Sequence, residues 1–246
     1  MIRVTVLLLL LVSLAPLQAE VNASVSPSPI LDPEKEGREL AAKLRSAAPP
    51  GRSQFSGVLQ ITTRGDHVHV VPIVSLITAG PNSWEVVYRT SPSYQGPAET
   101  VSITHTPGQP NAYLVTSGTN GPAAAQLTQP FAGSDFWLMD LGLEFFHWPQ
   151  QRAIRSEMSR GRPCRVLESV APKPAGDGYA RVLSWIDLET GGVLQAEAYD
   201  QHNRVLKKFA MGSFKKIAGH WQLRDMKIRN ARTGQQTELK FDLQKK

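Results

Sequence analysis

The chain has 246 residues, of which 41% are hydrophobic and 20% charged, and this composition allows a sizeable core in one domain, or at most two small ones. Its net charge of +6 is compatible with an anionic surface or partner. It does not favour nucleic acid as a partner, because no basic run exceeds two or three residues. The single cysteine, Cys164, excludes an intrachain disulfide, and we interpret it as a buried, inert thiol.

The first nineteen residues have the pattern of a secretory signal peptide. Arg3 supplies the positive start, residues 4–14 form an apolar run, and residues 16–19 offer small side chains for cleavage. The run is too short to span a bilayer as a stable helix, and no cysteine follows it as a lipidated leader would require. We therefore predict cleavage after Ala19 and a soluble, exported protein.

Residues 20–30 are polar and rich in serine and proline, which predicts a disordered lead-in to a single domain over residues 31–246. Asp32 then predicts a helix start, because its side chain can cap the first turn and Pro33 suits the first helical position. The helix has a modest apolar stripe and ends at the proline pair before Gly51. We expect this amphipathic helix to lie on a sheet.

From residue 55 onward, short runs of alternating apolar and polar residues are separated by turn sequences, which is typical of sequential β-hairpins. The predicted strands are 55–62, 68–77, 84–89, 101–105, 113–116, 153–158, 164–170, 179–187, 193–199, 205–214, 221–228 and 237–243. Residues 116–130 indicate a loop with a turn of helix at 123–127. So many antiparallel strands in one chain must curl.

Residues 131–148, FAGSDFWLMDLGLEFFHW, are the densest cluster of large apolar side chains after the leader. Ser134 followed by Asp135 predicts a helix start, and residues 136–146 leave no polar face, so this helix should be buried on most sides. Asp140 is expected to be solvated or to cap the helix, because it stands five residues from Asp135 and does not share its face.

These elements predict a mainly β fold with helices (α+β). We expect a strongly curved antiparallel sheet, or half-open β-barrel, of about eleven strands, with two helical segments on the concave face. If the helices leave part of the hollow unfilled, the remainder is an apolar pocket that binds acyl chains; otherwise the aromatic cluster is plain core packing. The predicted lining residues are Phe131, Phe136, Trp137, Leu141, Phe145, Phe146 and Trp148.

Catalytic and metal motifs are weak in this sequence. His67 and His69 would project to the same side of a strand, with Asp66 close by, but the other histidines lack ligand spacing. The alternative is two solvated histidines beside a hairpin turn. The sequence has no nucleophile elbow, phosphate-binding loop or dinucleotide motif. We therefore predict neither an enzyme nor a cofactor.

Four segments resemble the LolA-like outer-membrane lipoprotein-sorting family: GSDFWLMDL (133–141), GRPCRVLESVAP (161–172), YARVLSWIDLETGGVLQAEAYDQHNRVLKKF (179–209) and WQLRDMKIRNARTGQQTELKF (221–241). The resemblance covers about 133–243 closely and 31–116 in outline. It implies a curved sheet closed by helices around an apolar cavity, and a periplasmic chaperone that carries acylated lipoproteins or other lipids. The family's carriers also have a cationic strand residue near the cavity mouth, for which Arg64 and Arg89 are the candidates.

The resemblance also implies partners: the acyl chains themselves, an inner-membrane transporter and an outer-membrane acceptor. A carrier is physically reasonable, because exposing an acyl chain to water costs about 0.8 kcal/mol per CH₂. Two other hypotheses stay open. One is a periplasmic sensor or adaptor of the same fold that binds envelope lipid and a protein partner. The other is a metal-dependent hydrolase built on Asp66, His67 and His69. We expect a monomer.

Overall fold

A computed structural model describes residues 29–242 except 48, 50, 93–95, 120, 122, 174–175 and 218–219, so the predicted signal peptide and most of the lead-in lie outside the described residues. The helical elements are α1 (Pro33–Arg45), α2 (Leu138–Leu141) and a 3-10 helix at Glu144–His147. The strands are β1 (Arg52–Thr62), β2 (Val68–Ala79), β3 (Trp84–Thr90), β4 (Glu99–His105), β5 (Ala112–Ser117), β6 (Ala123–Ala124), β7 (Gln150–Ser159), β8 (Arg162–Val170), β9 (Arg181–Asp187), β10 (Val193–Tyr199), β11 (Val205–Met211), β12 (Phe214–Ile217), β13 (His220–Leu223), β14 (Asp225–Asn230) and β15 (Gln236–Phe241).

Thirteen of the described strands form one antiparallel sheet, in the order β6-β5-β4-β3-β2-β1-β15-β14-β11-β10-β9-β8-β7. The first strand pairs with the last, from Gly57 opposite Phe241 to Thr62 opposite Gln236, and this pairing joins the two halves of the chain. The predicted mainly β fold with a curved antiparallel sheet is confirmed, with more strands than the eleven expected. The sheet is open, because β6 and β7 form its two edges.

The chain crosses from one edge of the sheet to the other between β6 and β7, and we call residues 125–149 the crossover segment. Its side chains contact both halves of the sheet: Phe131 packs on Tyr88 of β3, and the N–H of Asp135 donates to Thr237 of β15 at 3.0 Å. A connection that spans the hollow is covered on most sides. This explains why large apolar and aromatic side chains are so dense in residues 131–148.

Helix α1 begins as predicted, with Asp32 Oδ1 accepting from the Lys35 N–H at 2.9 Å and Pro33 at the first helical position. It packs against β7, where Gly37 faces the backbone of Arg152 so closely that a Cβ would lie 2.5 Å from the Arg152 nitrogen. Among the described residues, no helix has the length and apolarity needed to cross a membrane.

Three local predictions were wrong. The predicted helix 136–146 is interrupted, because α2 ends at Leu141 and Leu143 adopts a left-handed φ of +52°. Residues 123–127 contain the short strand β6, which pairs with β5, rather than a helical turn. The predicted strands 205–214 and 221–228 are each divided, since β12 and β13 form a separate hairpin between β11 and β14.

Candidate functional site

The seven predicted pocket residues lie together on the crossover segment, where their side chains are packed in the core or against it. Five of them are buried in the core at 3% exposure or less, and Trp137 and Trp148 are half-buried. The five are Phe131, Phe136, Leu141, Phe145 and Phe146. Leu141 and Phe146 border a cavity of about 30 Å³, which has room for about two water molecules but not for an alkyl chain.

A buried polar cluster, which the sequence analysis missed, fixes the start of α2. Lys207 of β11 is 1% exposed, and its Nζ donates to the carbonyl oxygen of Asp135 at 2.6 Å and to Asp140 Oδ2 at 3.1 Å. The Tyr179 hydroxyl donates to Asp140 Oδ1 at 2.9 Å. The ammonium also lies 3.6 Å from the centre of the Trp137 ring, a cation–π contact. Together these contacts attach the crossover segment to the sheet.

Asp140 was predicted to be either solvated or a helix cap. It is not solvated, because it is only 3% exposed. It does cap the helix, because its Oδ2 accepts from the Trp137 N–H at 2.8 Å at the start of α2. The predicted helix start at Ser134 is wrong, since its hydroxyl accepts from Phe136 outside the helix. Burial raises the pKa of Asp140 and lowers that of Lys207, and each shift is opposed by the charge of the other group.

Three neighbouring openings with shared lining residues form a cleft between the end of α1, the 3-10 helix and the adjacent ends of β3 and β4. Two cavities of about 440 and 310 Å³ flank the small one beside Phe146. Arg45 and His147 line all three. Trp148, another of the predicted pocket residues, lines the larger flank. We call this opening the α1 cleft.

Arg45 is positioned at the centre of the α1 cleft by the end of α1. Its Nη1 donates to the carbonyl oxygen of Phe146 at 2.9 Å, which leaves four of its five N–H donors for other partners. His105 reaches the cleft from the end of β4, where its ring stacks on Trp84 with the centroids 3.7 Å apart. Arg45, His105 and His147 thus come from three elements that are distant in sequence.

The two histidines of the α1 cleft are neutral at pH 7. Burial lowers the pKa of His105 to about 4. The charge of the nearby His147 also lowers this pKa, whereas the Asn111 side chain raises it. Burial and the charge of Arg45 lower the pKa of His147, also to about 4. His105 is 8% exposed, and its Nε2 is buried and makes no hydrogen bond of normal geometry among the described residues.

The remaining sequence candidates lie away from this cleft. Arg64 and Arg89 are exposed, on the β1–β2 turn and on β3. His67 is exposed and His69 half-buried, and the described residues contain no group of three His, Cys, Asp or Glu side chains that could hold a metal ion. Cys164 is buried on β8, as expected, and its pKa is raised mainly by burial.

A sequence signal for Lys207 did exist, since it alternates with Phe209 and Met211 on the buried face of β11. A lysine in that phase needs a buried partner. No comparable signal marks the α1 cleft. Arg45, His105 and His147 stand in segments that no short motif connects, so only the folded chain brings them together.

Comparisons with known proteins agree with this architecture. A family model described as "Uncharacterized protein" matches residues 99–245, more than half of the chain. The comparison with curated proteins gives no match. Three similar solved structures are a DUF1329 family protein from Desulfovibrio piger, a domain described as an outer membrane lipoprotein-sorting protein from Vibrio parahaemolyticus, and a LolA superfamily protein from Nitrosomonas europaea.

The three structures cover 86%, 85% and 86% of this chain and 92%, 91% and 92% of their own, in the same order. Their TM-scores are 0.71, 0.70 and 0.62, and their sequence identities are 20%, 19% and 16%. Likeness at these identities concerns the fold. The fold is similar to that of these three proteins, one of which is a LolA superfamily protein, and the sequence resemblance implied such a fold.

Proposed function

We propose a carrier function for this chain, which belongs to the family whose model matches residues 99–245 and has the LolA-superfamily fold. It is a non-catalytic periplasmic carrier that shields the acyl chains of lipoproteins or other lipids on their way toward the outer membrane. The observation that supports this most directly is the aromatic crossover segment, enclosed by a curved sheet and reached from the surface by the α1 cleft. The signal-peptide pattern supports the periplasmic location.

The described conformation is the closed one under this proposal. The cavity beside Phe146 is too small for an alkyl chain, whereas ligand pockets commonly enclose about 300–1,000 Å³. Uptake therefore requires the crossover segment to move from the sheet. Leu141 and Phe146 would meet the chain first, Trp148 would line its entry, and Phe131, Phe136, Trp137 and Phe145 would line the space that opens.

The proposal is tested on the mature protein purified without detergent. Mass spectrometry should find retained lipid, and a fluorescent fatty acid should be taken up with saturation. Phe146→Ser should weaken that uptake, because a hydroxyl replaces the ring at the wall of the cavity. Leu114→Ser is the control, since Leu114 is 48% exposed on β5. A protein that retains no lipid and takes up no fatty acid would refute the carrier function.

A sensor or adaptor is the second candidate, and one observation favours it. Val68 and Val70 on β2 are 51% and 54% exposed, and Pro72 continues the same outward row. Exposed apolar patches of this kind often mark protein contacts. If the chain is an adaptor, one protein should copurify in stoichiometric amount and be lost in the double variant Val68→Ser, Val70→Ser. A carrier would instead need an inner-membrane transporter and an outer-membrane acceptor, and would hold either only transiently.

A further inference from the structure

The α1 cleft combines an apolar surface with an excess of positive charge. Its inner part is lined by apolar side chains, among them Leu44, Leu141 and Phe146. Along its larger flank lie Lys35, Arg38 and Arg45 on α1, with Glu39 as the acidic residue of that lining. The lining therefore suits a molecule with both an apolar part and a negative charge.

In the part of the chain that the structure describes, the three cations of the cleft form no ion pair with a carboxylate. No carboxylate of the described residues lies within 4.0 Å of Lys35, Arg38 or Arg45, whereas Glu36 on the other side of α1 pairs with Arg165 at 2.5 Å. Helix α1 thus carries one row of cations toward the cleft and uses an acidic residue elsewhere to attach itself to the sheet. An unpaired arginine beside an apolar cavity favours an anionic ligand over a neutral one.

The buried imidazole of His105 gives a second, independent indication. Its Nε2 is shielded from solvent and makes no hydrogen bond of normal geometry among the described residues, although the ring borders both the small cavity and the 310 Å³ flank. A buried polar nitrogen without a partner costs free energy unless a ligand or water supplies one. An oxyanion held by Arg45 would offer an acceptor to the histidines that share this opening.

We propose that the α1 cleft binds the oxyanion head group of an amphiphile, with Arg45 as the main cation and His105 and His147 as neutral donors. The alkyl chain continues past Leu141 and Phe146 toward the other apolar side chains of the crossover segment. The inference rests on the proposed carrier function and names its ligand class: single- or double-chain lipids with a negatively charged phosphate. Arg38 and Lys35 extend the positive surface along which such a head group approaches.

The test uses two probes with the same alkyl chain, lysophosphatidylglycerol and the uncharged monoacylglycerol, each below the concentration at which it aggregates, and glycerophosphoglycerol as the head group alone. Binding is measured by titration calorimetry on the mature protein. The wild type should bind lysophosphatidylglycerol about tenfold or more tighter than monoacylglycerol, because one charged hydrogen bond is worth about that factor. Arg45→Gln should remove the difference and leave the binding of monoacylglycerol unchanged.

Arg64→Gln is the matched control, because it removes the same charge from the exposed β1–β2 turn. Thermal unfolding of Arg45→Gln checks that loss of its bond to Phe146 has not unfolded α1, and Arg45→Lys should restore part of the preference. Equal binding of both lipids by the wild type, or an equal effect of Arg45→Gln and Arg64→Gln, would overturn the head-group inference but not the carrier function. Binding of glycerophosphoglycerol as tightly as the lipid would reduce the cleft to a phosphate site. Binding of no probe would overturn both proposals.

Discussion

Lys207 and Lys208 are adjacent on β11, yet one is buried against the crossover segment and the other reaches solvent. Lys207→Met should lower the free energy of unfolding by about 3–5 kcal/mol, because it leaves the buried carboxylate of Asp140 without its cation. Urea denaturation monitored by tryptophan fluorescence measures the loss.

Lys208→Met supplies the control for this prediction. The Lys208 side chain is 57% exposed and pairs with Glu197 at 2.8 Å, so its loss should cost less than about 1 kcal/mol. The double variant Lys207→Met, Asp140→Asn should recover part of the stability lost in Lys207→Met, because neither charge is then buried alone. Equal losses for the two lysines would show that Asp140 is not held by charge.

The buried histidines predict a pH dependence of stability. The folded pKa of His105 is about 4, below the ordinary value of 6.5, so the unfolded chain binds the proton more readily. The stability that neutral His105 contributes is therefore present above pH 6.5 and is lost as the pH falls toward 4. Carboxyl groups with raised pKa values, such as Glu144 and Asp140, act in the opposite direction.

His105→Gln isolates this contribution, because glutamine does not titrate. Thermal unfolding should show a smaller loss of Tm between pH 6.5 and pH 4.5 in the variant than in the wild type. His202→Gln is the control, since His202 is exposed in the turn after β10. If the slopes of the wild type and His105→Gln coincide, the imidazole of His105 is not held neutral in the fold.

At the scale of elements, α1 depends on a glycine that helix propensity alone would disfavour. In a solvent-exposed helix, Gly→Ala stabilises the protein by about 1 kcal/mol. At Gly37, however, a Cβ would lie 2.5 Å from the backbone nitrogen of Arg152. Gly37→Ala should therefore destabilise the protein by about 1–3 kcal/mol, because α1 must lift from β7. Chemical denaturation measures the change.

Glu39→Ala is the matched control on the same helix. Glu39 is exposed, so the substitution should change stability by no more than about 0.5 kcal/mol. Hydrogen exchange in α1 of the Gly37→Ala variant should rise relative to that in β8 and β9, which keep their strand partners. A stabilised Gly37→Ala protein would mean that α1 does not lie this close to the sheet.

Sequence patterns predicted the elements whose formation depends on local chemistry. The helix start at Asp32 and the strands with alternating faces, such as Val193–Tyr199, were predicted because capping and period-two alternation are local signals. The break in the crossover segment was not. Gly142 lies against Tyr113 of β5, where a Cβ would be 2.1 Å from the hydroxyl, and no pattern near residue 142 reveals that neighbour.

For the site, too, local patterns predicted some features, whereas contacts between distant residues determine the others. Clustering of aromatic residues correctly placed the crossover segment at the centre of the fold, because large apolar side chains must be covered whatever the topology. Whether they enclose a cavity or fill it depends on how closely the two halves of the sheet approach. That distance is set by the pairing of β1 with β15, which links residues about 180 positions apart, and by packing detail that the apolar pattern does not encode.

For the whole molecule, the crossover segment is both the core and the connection between the two edges of the sheet. Under the proposed function the protein opens by releasing that segment, so the contacts of Asp140, Lys207 and Tyr179 should control the rate of uptake. Tyr179→Phe removes one buried hydrogen bond, which the hydroxyl donates to Asp140 at 2.9 Å. It should lower the free energy of unfolding by about 1–3 kcal/mol without leaving a cavity. Under the proposed function, it should also speed the uptake of a fluorescent fatty acid.

Cys164→Ala is the comparison that separates this effect from general loosening. Cys164 is buried with Trp185 and Leu194 in a cluster distinct from the main core, and its truncation should cost a similar free energy. Stopped-flow fluorescence should show faster uptake by Tyr179→Phe than by Cys164→Ala at matched stability. Equal acceleration in both variants would mean that global unfolding admits the lipid, and no acceleration in either would place the entry route away from the crossover segment.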